Sequence, residues 1–213
     1  MKKSLFLLFW LPEMVFANPV FNENPIVHQK VQVQSWKAQR DFGIVKQDLD
    51  FSCGAASVAT LLNNFYGQNV TEEEVLNKMD KTQMRASFDD MQRIMPELGF
   101  EAKGYALPFE QLAQLKIPVI VYLKYRKTDH FSVLRGINDD VVWLADPSLG
   151  HVSMSKAQFL DAWQTRDGEM AGKILAIVPN NHETTAQNRA FFVKNPTRKT
   201  QFITQQMQLK RVF

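Results

Sequence analysis

The chain has 213 residues, 45% of them hydrophobic and 22% charged, which suits one sizeable buried core and excludes an intrinsically disordered chain as the default. Its net charge of +3 is mild, so the overall balance does not argue for a nucleic-acid partner. In chain order, Met1-Lys2-Lys3, the apolar run Ser4–Leu11 and then Val15-Phe16-Ala17 follow the charged, apolar, small-residue order of a secretory signal peptide, with cleavage expected after Ala17. That run is too short to span a bilayer as a stable helix, and no later stretch approaches a transmembrane length. The expected mature protein is therefore periplasmic and has no transmembrane span.

Residues 18–40 read as an N-terminal arm in which Val27, Val31 and Val33 alternate partially, as in a short strand or extended segment. From Cys53 onward, Ala55, Val58, Ala59, Leu62 and Phe65 recur at helical spacing, and Gly67 suits a helix C-terminus. This predicts a buried helix whose first turn holds the cysteine. Thr71 with Glu74, and Ser87 with Asp90, have the form of helix starts; the second helix is lined by Phe88, Met91, Ile94, Met95 and Leu98 before Gly99. Strands are predicted at Phe100–Leu107 and Ile117–Leu123, separated by a short helix at Pro108–Leu115. His130–Ile137 and Val141–Ala145 flank Asn138-Asp139-Asp140 and read as a β-hairpin. A helix at Lys156–Trp163 and a strand at Lys173–Val178 complete an α+β domain expected over residues 41–179. Residues 180–213 form a basic extension in which Arg189, Lys194, Arg198, Lys199, Lys210 and Arg211 face one acid, Glu183. Its apolar residues, Phe191, Phe192, Phe202, Ile203, Val212 and Phe213, are too sparse for a core, which leaves a flexible arm or a segment that docks on the domain or a partner.

Cys53 is the only cysteine, so no internal disulfide can form. A solitary thiol in an exported protein is either buried and inert or kept for its reactivity. A nucleophilic cysteine acts as its thiolate, which a helix N-terminus and a nearby imidazole stabilise. The predicted helix supplies the first, and Gly54 leaves room for close approach; position alone also suits a small core residue. Attack on an amide creates an oxyanion, and Gln47, six residues upstream, offers a side-chain amide as donor. For the base, His130 opens one strand of the predicted hairpin and Asp146 closes the other, so pairing would make them neighbours. Asp146-Pro147 is also a common turn start. His28 lies in the arm, His182 in the tail, and His151 after the Pro147–Gly150 turn, where exposure is expected. No closely spaced His, Cys, Asp or Glu pair suits zinc and no glycine-rich phosphate loop is present, so neither a metal nor an organic cofactor is expected.

Taken together, Gln47-Asp-Leu-Asp-Phe-Ser-Cys53-Gly54, the helix ending in Tyr66-Gly67, His130-Phe131-Ser-Val-Leu and Asp146-Pro147-Ser-Leu-Gly150 resemble the peptidase C39 family, the bacteriocin-processing members of the papain-like cysteine peptidases. The likeness runs from about Gln47 to Val178. It implies a papain-like fold with N-terminal helices packed on an antiparallel sheet. It further implies Cys53 as nucleophile, His130 as general base and acid, Asp146 as orienter of the imidazole and Gln47 as oxyanion-hole donor. Members fused to exporters cut leader peptides after a double glycine. With its signal-like start and no nucleotide-binding part, this sequence is more similar to stand-alone exported members, including those of functional-amyloid secretion, so a double-glycine cut is not carried over.

The expected function is a cysteine endopeptidase that hydrolyses a peptide bond in an exported or secreted polypeptide through an acyl-thioester. Its implied partners are that polypeptide, an amyloid-type protein among the options, and a secretion-system component, with no nucleic acid. Two alternatives stand beside it: a catalytically inactive peptide-binding module that assists secretion, and another papain-like chemistry such as cleavage of cell-wall amides or transglutamination.

Overall fold

A computed structural model describes residues 35–79, 86–125, 128–165, 171–181 and 184–197. The expected signal peptide, His28, the valines of the arm, His182 and the apolar residues from Phe202 onward lie outside the described residues. The elements run α1 (Trp36–Asp41), α2 (Cys53–Tyr66), α3 (Glu72–Lys78), α4 (Phe88–Ile94), a 3₁₀ turn (Met95–Leu98), β1 (Phe100–Leu107) and α5 (Phe109–Leu112). They continue with β2 (Val119–Tyr125), β3 (Thr128–Ile137), β4 (Val141–Asp146), β5 (Gly150–Ser155), α6 (Lys156–Trp163), β6 (Gly172–Pro179) and a 3₁₀ turn (Arg189–Phe191).

Helices come first and strands later because the apolar spacing changes from helical to alternating near Phe100. In β2, Val119, Val121 and Leu123 point into one apolar cluster while Ile120 points into another; in β6, Ile174 joins the first of these while Leu175 and Ile177 join the second. The six strands form one antiparallel sheet in the order β1-β6-β2-β3-β4-β5. One of its faces is covered by α2, α3 and α4 through Val58, Leu62, Val75, Met91 and Ile94 against Phe100, Phe131 and Val133. Its other face is covered by α5 and α6, whose Leu112, Phe159 and Trp163 meet Val121, Leu134 and Leu144.

Almost every residue of α2 is buried, so this helix is a core element and fixes whatever its first turn carries. It ends at Gly67, whose φ of +69° is open to glycine at little cost; the Gly67 N–H bonds the Asn63 carbonyl at 3.1 Å and Gln68 N–H the Leu62 carbonyl at 3.1 Å. Two side-chain bonds tie α2 to the sheet: Ser57 Oγ donates to Phe131 O at 3.2 Å, and Tyr66 Oη to Ile177 O at 2.8 Å. At Gly54 the closeness serves packing, since a Cβ there would lie 2.5 Å from Met91 Cε and 2.6 Å from Ala86 Cβ.

Three expectations need correcting, and for the described part of the basic extension the docking alternative holds. The end of the expected extended arm is helical, because Ser35 caps α1 by accepting the Ala38 N–H at 3.1 Å. Gly150–Ser155 is an edge strand rather than the continuation of a turn, so His151 is half-buried. Its Nε2 lies 3.0 Å from Phe42 O, and its ring lies against Arg135 Nη1. The short helix after β1 covers only Phe109–Leu112. In the basic extension, Phe191 and Phe192 are buried and complete the two clusters already built by the domain. Each burial is worth about 1.5–3 kcal/mol. Sparse apolar residues need no core of their own when an existing one has room for them. Among the described residues no helix is long and apolar enough to cross a membrane.

Candidate active site

Cys53 is the first residue of α2, where backbone N–H groups have no acceptor within the helix. The loop leading into it is tightly bonded. Ser52 Oγ donates to Leu49 O at 2.8 Å and accepts Leu49 N–H at 3.1 Å, while the buried Glu72 carboxylate at the start of α3 accepts Asp48 N–H at 3.1 and 3.2 Å. Cys53 as a whole is only 5% exposed.

On the sheet, β3 and β4 pair as the hairpin predicted from Asn138-Asp139-Asp140, in the register Val133↔Ala145. That pairing sets His130 beside Asp146, with Nε2 2.8 Å from Oδ2. A carboxylate can only accept, so Nε2 carries the proton and Nδ1 is left for the other side of the ring. His130 is also close enough to Cys53 for that side chain to raise its pKa. The remaining oxygen of Asp146, Oδ1, accepts the N–H groups of Ser148 and Leu149, both at 2.9 Å, so the carboxylate is held from two sides.

Burial by itself would lower the His130 pKa, but the bonds to Asp146 and Cys53 and their charges outweigh it and raise the pKa from 6.5 to about 9. For Asp146, burial pushes the pKa up, and the His130 bond and charge with the two backbone donors pull it below its ordinary value. The imidazole is therefore held in its protonated form at neutral pH.

Gln47 joins the same cluster by a different route. Its Nε2 donates to Leu49 O at 3.1 Å, its Oε1 accepts the Ser148 hydroxyl at 2.6 Å, and its backbone N–H bonds Pro147 O at 3.3 Å. The structure thus brings Cys53, His130 and Asp146 into one neighbourhood and hangs Gln47 on the turn that follows Asp146. His151 is engaged elsewhere, with Phe42 and Arg135.

Beside Cys53 lies a groove of about 700 Å³ whose walls include Phe51, Phe88, Tyr122 and Phe131, with Asp50, Asp129 and Lys173 among its polar residues. Phe131 packs against Phe88 and Tyr122 at ring-centroid distances of 5.2 and 5.6 Å, and Lys173 Nζ sits 5.0 Å from the Tyr122 ring centre. An apolar trough with a few polar groups next to a nucleophile suits a peptide chain. Sequence reasoning missed this wall because Phe51, Phe88, Tyr122 and Phe131 come from four separate segments. It also missed Ser148, whose only signal was its place after Asp146-Pro147, and Glu72, which showed only as an acidic first-turn residue. Among the described residues no set of three His, Cys, Asp or Glu side chains is gathered as a metal site. A thiol next to an imidazole that a carboxylate orients has the parts that nucleophilic acyl transfer requires.

Comparison with known proteins bears on the family and the fold. The probable functional amyloid protease FapD of Pseudomonas aeruginosa is 39% identical over 139 residues, which cover 62% of this chain and 62% of that protein. The protein of the same name from Pseudomonas fluorescens is 37% identical over 139 residues, with 62% of each chain covered. The matched part is thus less than two thirds of these relatives' length. The peptidase domain of Streptococcus ComA, a bifunctional ABC transporter of a quorum-sensing pathway, superposes with a TM-score of 0.56 at 21% identity, covering 64% of this chain and 98% of that one. A double glycine motif protease from an AMS/PCAT transporter, in complex with the leader peptide, superposes with a TM-score of 0.55 at 25% identity, covering 64% and 91%. The α+β fold, helices packed on an antiparallel sheet, is the one these peptidase domains share. Residues 41–167, more than half of the sequence, match the family model described as the peptidase C39 family, and the chain belongs to that family.

Proposed function

We propose that this peptidase-family chain is a cysteine endopeptidase that cuts an exported or secreted polypeptide. The observation that carries the proposal is the placement of His130, bonded through Nε2 to Asp146 at 2.8 Å and near enough to Cys53 for that side chain to raise its pKa. Cys53 Sγ attacks the scissile carbonyl carbon, whose oxygen becomes an oxyanion held by the Cys53 backbone N–H and an N–H of the Gln47 amide. Collapse of this intermediate breaks the C–N bond, His130 gives its proton to the leaving amine, and a thioester remains on Cys53. Water then attacks the thioester, His130 takes up its proton, and a carboxylic acid leaves as the C–S bond breaks, restoring the Cys53 thiolate beside the protonated His130.

The name of the Pseudomonas relatives supports a substrate of amyloid type, and a secretion-system component is the partner that such a substrate implies. The signal-like start, Met1-Lys2-Lys3 and the apolar run to Ala17, supports export to the periplasm. The deciding experiment compares secreted polypeptides from cells carrying the wild type and Cys53→Ala, together with labelling of the purified proteins by an electrophilic thiol probe. The expected result is fragments with new termini and rapid labelling in the wild type only. Identical fragments with Cys53→Ala would discard the mechanism, and a wild type that neither cleaves nor labels faster than an ordinary thiol would leave an inactive peptide-binding module. Fractionation checks the location, with the wild type expected in the periplasm and a variant lacking residues 1–17 expected in the cytoplasm.

A further inference from the structure

We infer that Ser148 is a positioning residue for the oxyanion site: its hydroxyl holds the Gln47 carbonyl oxygen so that the amide nitrogen stays turned inward, toward the loop that enters α2. The inference rests on the proposed role of Gln47 and adds the group that makes that role available. Which end of the Gln47 amide faces which neighbour follows from its partners. Leu49 O is an acceptor only, so the group 3.1 Å from it must be the Gln47 nitrogen, and the group 2.6 Å from Ser148 Oγ must be the oxygen. Ser148 donates that bond. One amide N–H is then used by Leu49, and the second is the donor for substrate.

Three bonds zip the loop at Lys46 and Gln47 to the turn at Pro147 and Ser148. Besides the hydroxyl bond, Lys46 Nζ donates to Ser148 O at 2.7 Å and Gln47 N–H to Pro147 O at 3.3 Å. Of these three, only the hydroxyl bond reaches the Gln47 side chain, whose other restraint is the single bond from Nε2 to Leu49 O. A glutamine amide torsion is broad and close to two-fold, so without a donor on its oxygen the group can turn over or swing into water, and an acceptor would then face the developing negative charge. The backbone N–H of the same serine binds Asp146 Oδ1 at 2.9 Å and survives any side-chain change, which keeps the carboxylate and imidazole undisturbed. Ser148 is exposed, so its replacement leaves the core intact.

The two arms of the turn therefore separate chemically. Hydrolysis of an amide needs the oxyanion donors; alkylation of Cys53 by iodoacetamide, a displacement at a saturated carbon, needs only the activated sulfur. The test uses the full-length mature protein, a fluorogenic peptide spanning the cut site found from the new termini, and iodoacetamide. Ser148→Ala is expected to lower kcat about tenfold with KM within about twofold, a fraction of the ~10²-fold loss expected for Gln47→Ala. Its alkylation rate and the pH profile of that rate are expected to match the wild type, Ser148→Thr is expected to restore kcat, and adding Ser148→Ala to Gln47→Ala is expected to cause no further loss. An unchanged kcat in Ser148→Ala, a parallel fall in alkylation, or a full additional loss in the double variant would overturn the inference while leaving the endopeptidase reading in place. Unchanged hydrolysis in Gln47→Ala would remove the oxyanion role and this inference together, and hydrolysis retained by Cys53→Ala would instead remove the enzyme reading.

Discussion

At its start, β3 sets His130 near Cys53 and in a bond to Asp146, with the carboxylate finished by two backbone donors. At its far end, past the irregularity between Leu134 and Gly136, the same strand meets the segment 184–197 mainly through backbone and packing: Val193 N–H to Arg135 O at 2.8 Å, Ile137 N–H to Val193 O at 3.3 Å, and Phe191 buried with the Arg135 guanidinium 5.2 Å from its ring centre. One end gathers polar groups that reach each other only if α2 and the β4–β5 turn are in place. The other end closes an apolar seam. Substitutions at the first should remove the chemistry while the fold is retained, and substitutions at the second should cost stability while the chemistry of the folded protein is retained.

The largest effect is expected for His130→Ala, with kcat lowered by about 10³-fold or more and a lower melting temperature, since the buried Asp146 loses its ion-pair partner, but with the fold retained. Initial rates and a thermal melt check both halves, and a collapse of the fold would break the division. Next comes Asp146→Asn. Because contacts with Asp146 and Cys53 raise the His130 pKa to about 9, the wild-type kcat/KM is expected to fall as pH rises through about 9, where the imidazolium is lost. The asparagine removes the Asp146 contribution, so this alkaline limb should move to lower pH. The same pair stabilises the fold fully below the unfolded value of 6.5 and loses that contribution as pH rises through about 9, which denaturant titrations across this window can read.

At the opposite end, Phe191→Ala is expected to cost about 3 kcal/mol of unfolding free energy in urea, with kcat of the folded protein unchanged. A fall in kcat with no loss of stability would reverse the assignment of the two ends. The smallest effect is expected for Asn138→Ala. Asn138 Nδ2 donates to Pro196 O at 2.9 Å and its Oδ1 accepts Asp140 and Val141 N–H, so stability should fall by about 1 kcal/mol with normal hydrolysis.

Much of the catalytic end could be read from the sequence because its parts sit at element boundaries with strong local signals. The cysteine opens a helix whose apolar residues keep helical spacing to Gly67, and the Asn138-Asp139-Asp140 turn sets the register that joins His130 to Asp146. The far end was harder to read. Phe191 and Phe192 stand among polar residues and look solvated until the cavities they fill are known. Two regular elements escaped for related reasons: α1 buries none of its residues and so has no apolar stripe, and β5 is an edge strand in which only Gly150 and Met154 are buried. Ser148 shows a limit of another kind, since nothing in a linear sequence pairs a turn serine with a glutamine 101 residues away.

The bond from Ser57 to Phe131 O joins positions 74 residues apart, and the thiol and imidazole lie on the same two elements. No local piece of the chain holds both halves of the chemistry. A nascent or partly folded copy, with its helical half not yet seated on its strands, carries a cysteine and a histidine that do not meet. Any chemistry that needs the two groups together therefore waits on the seating of α2 against the sheet.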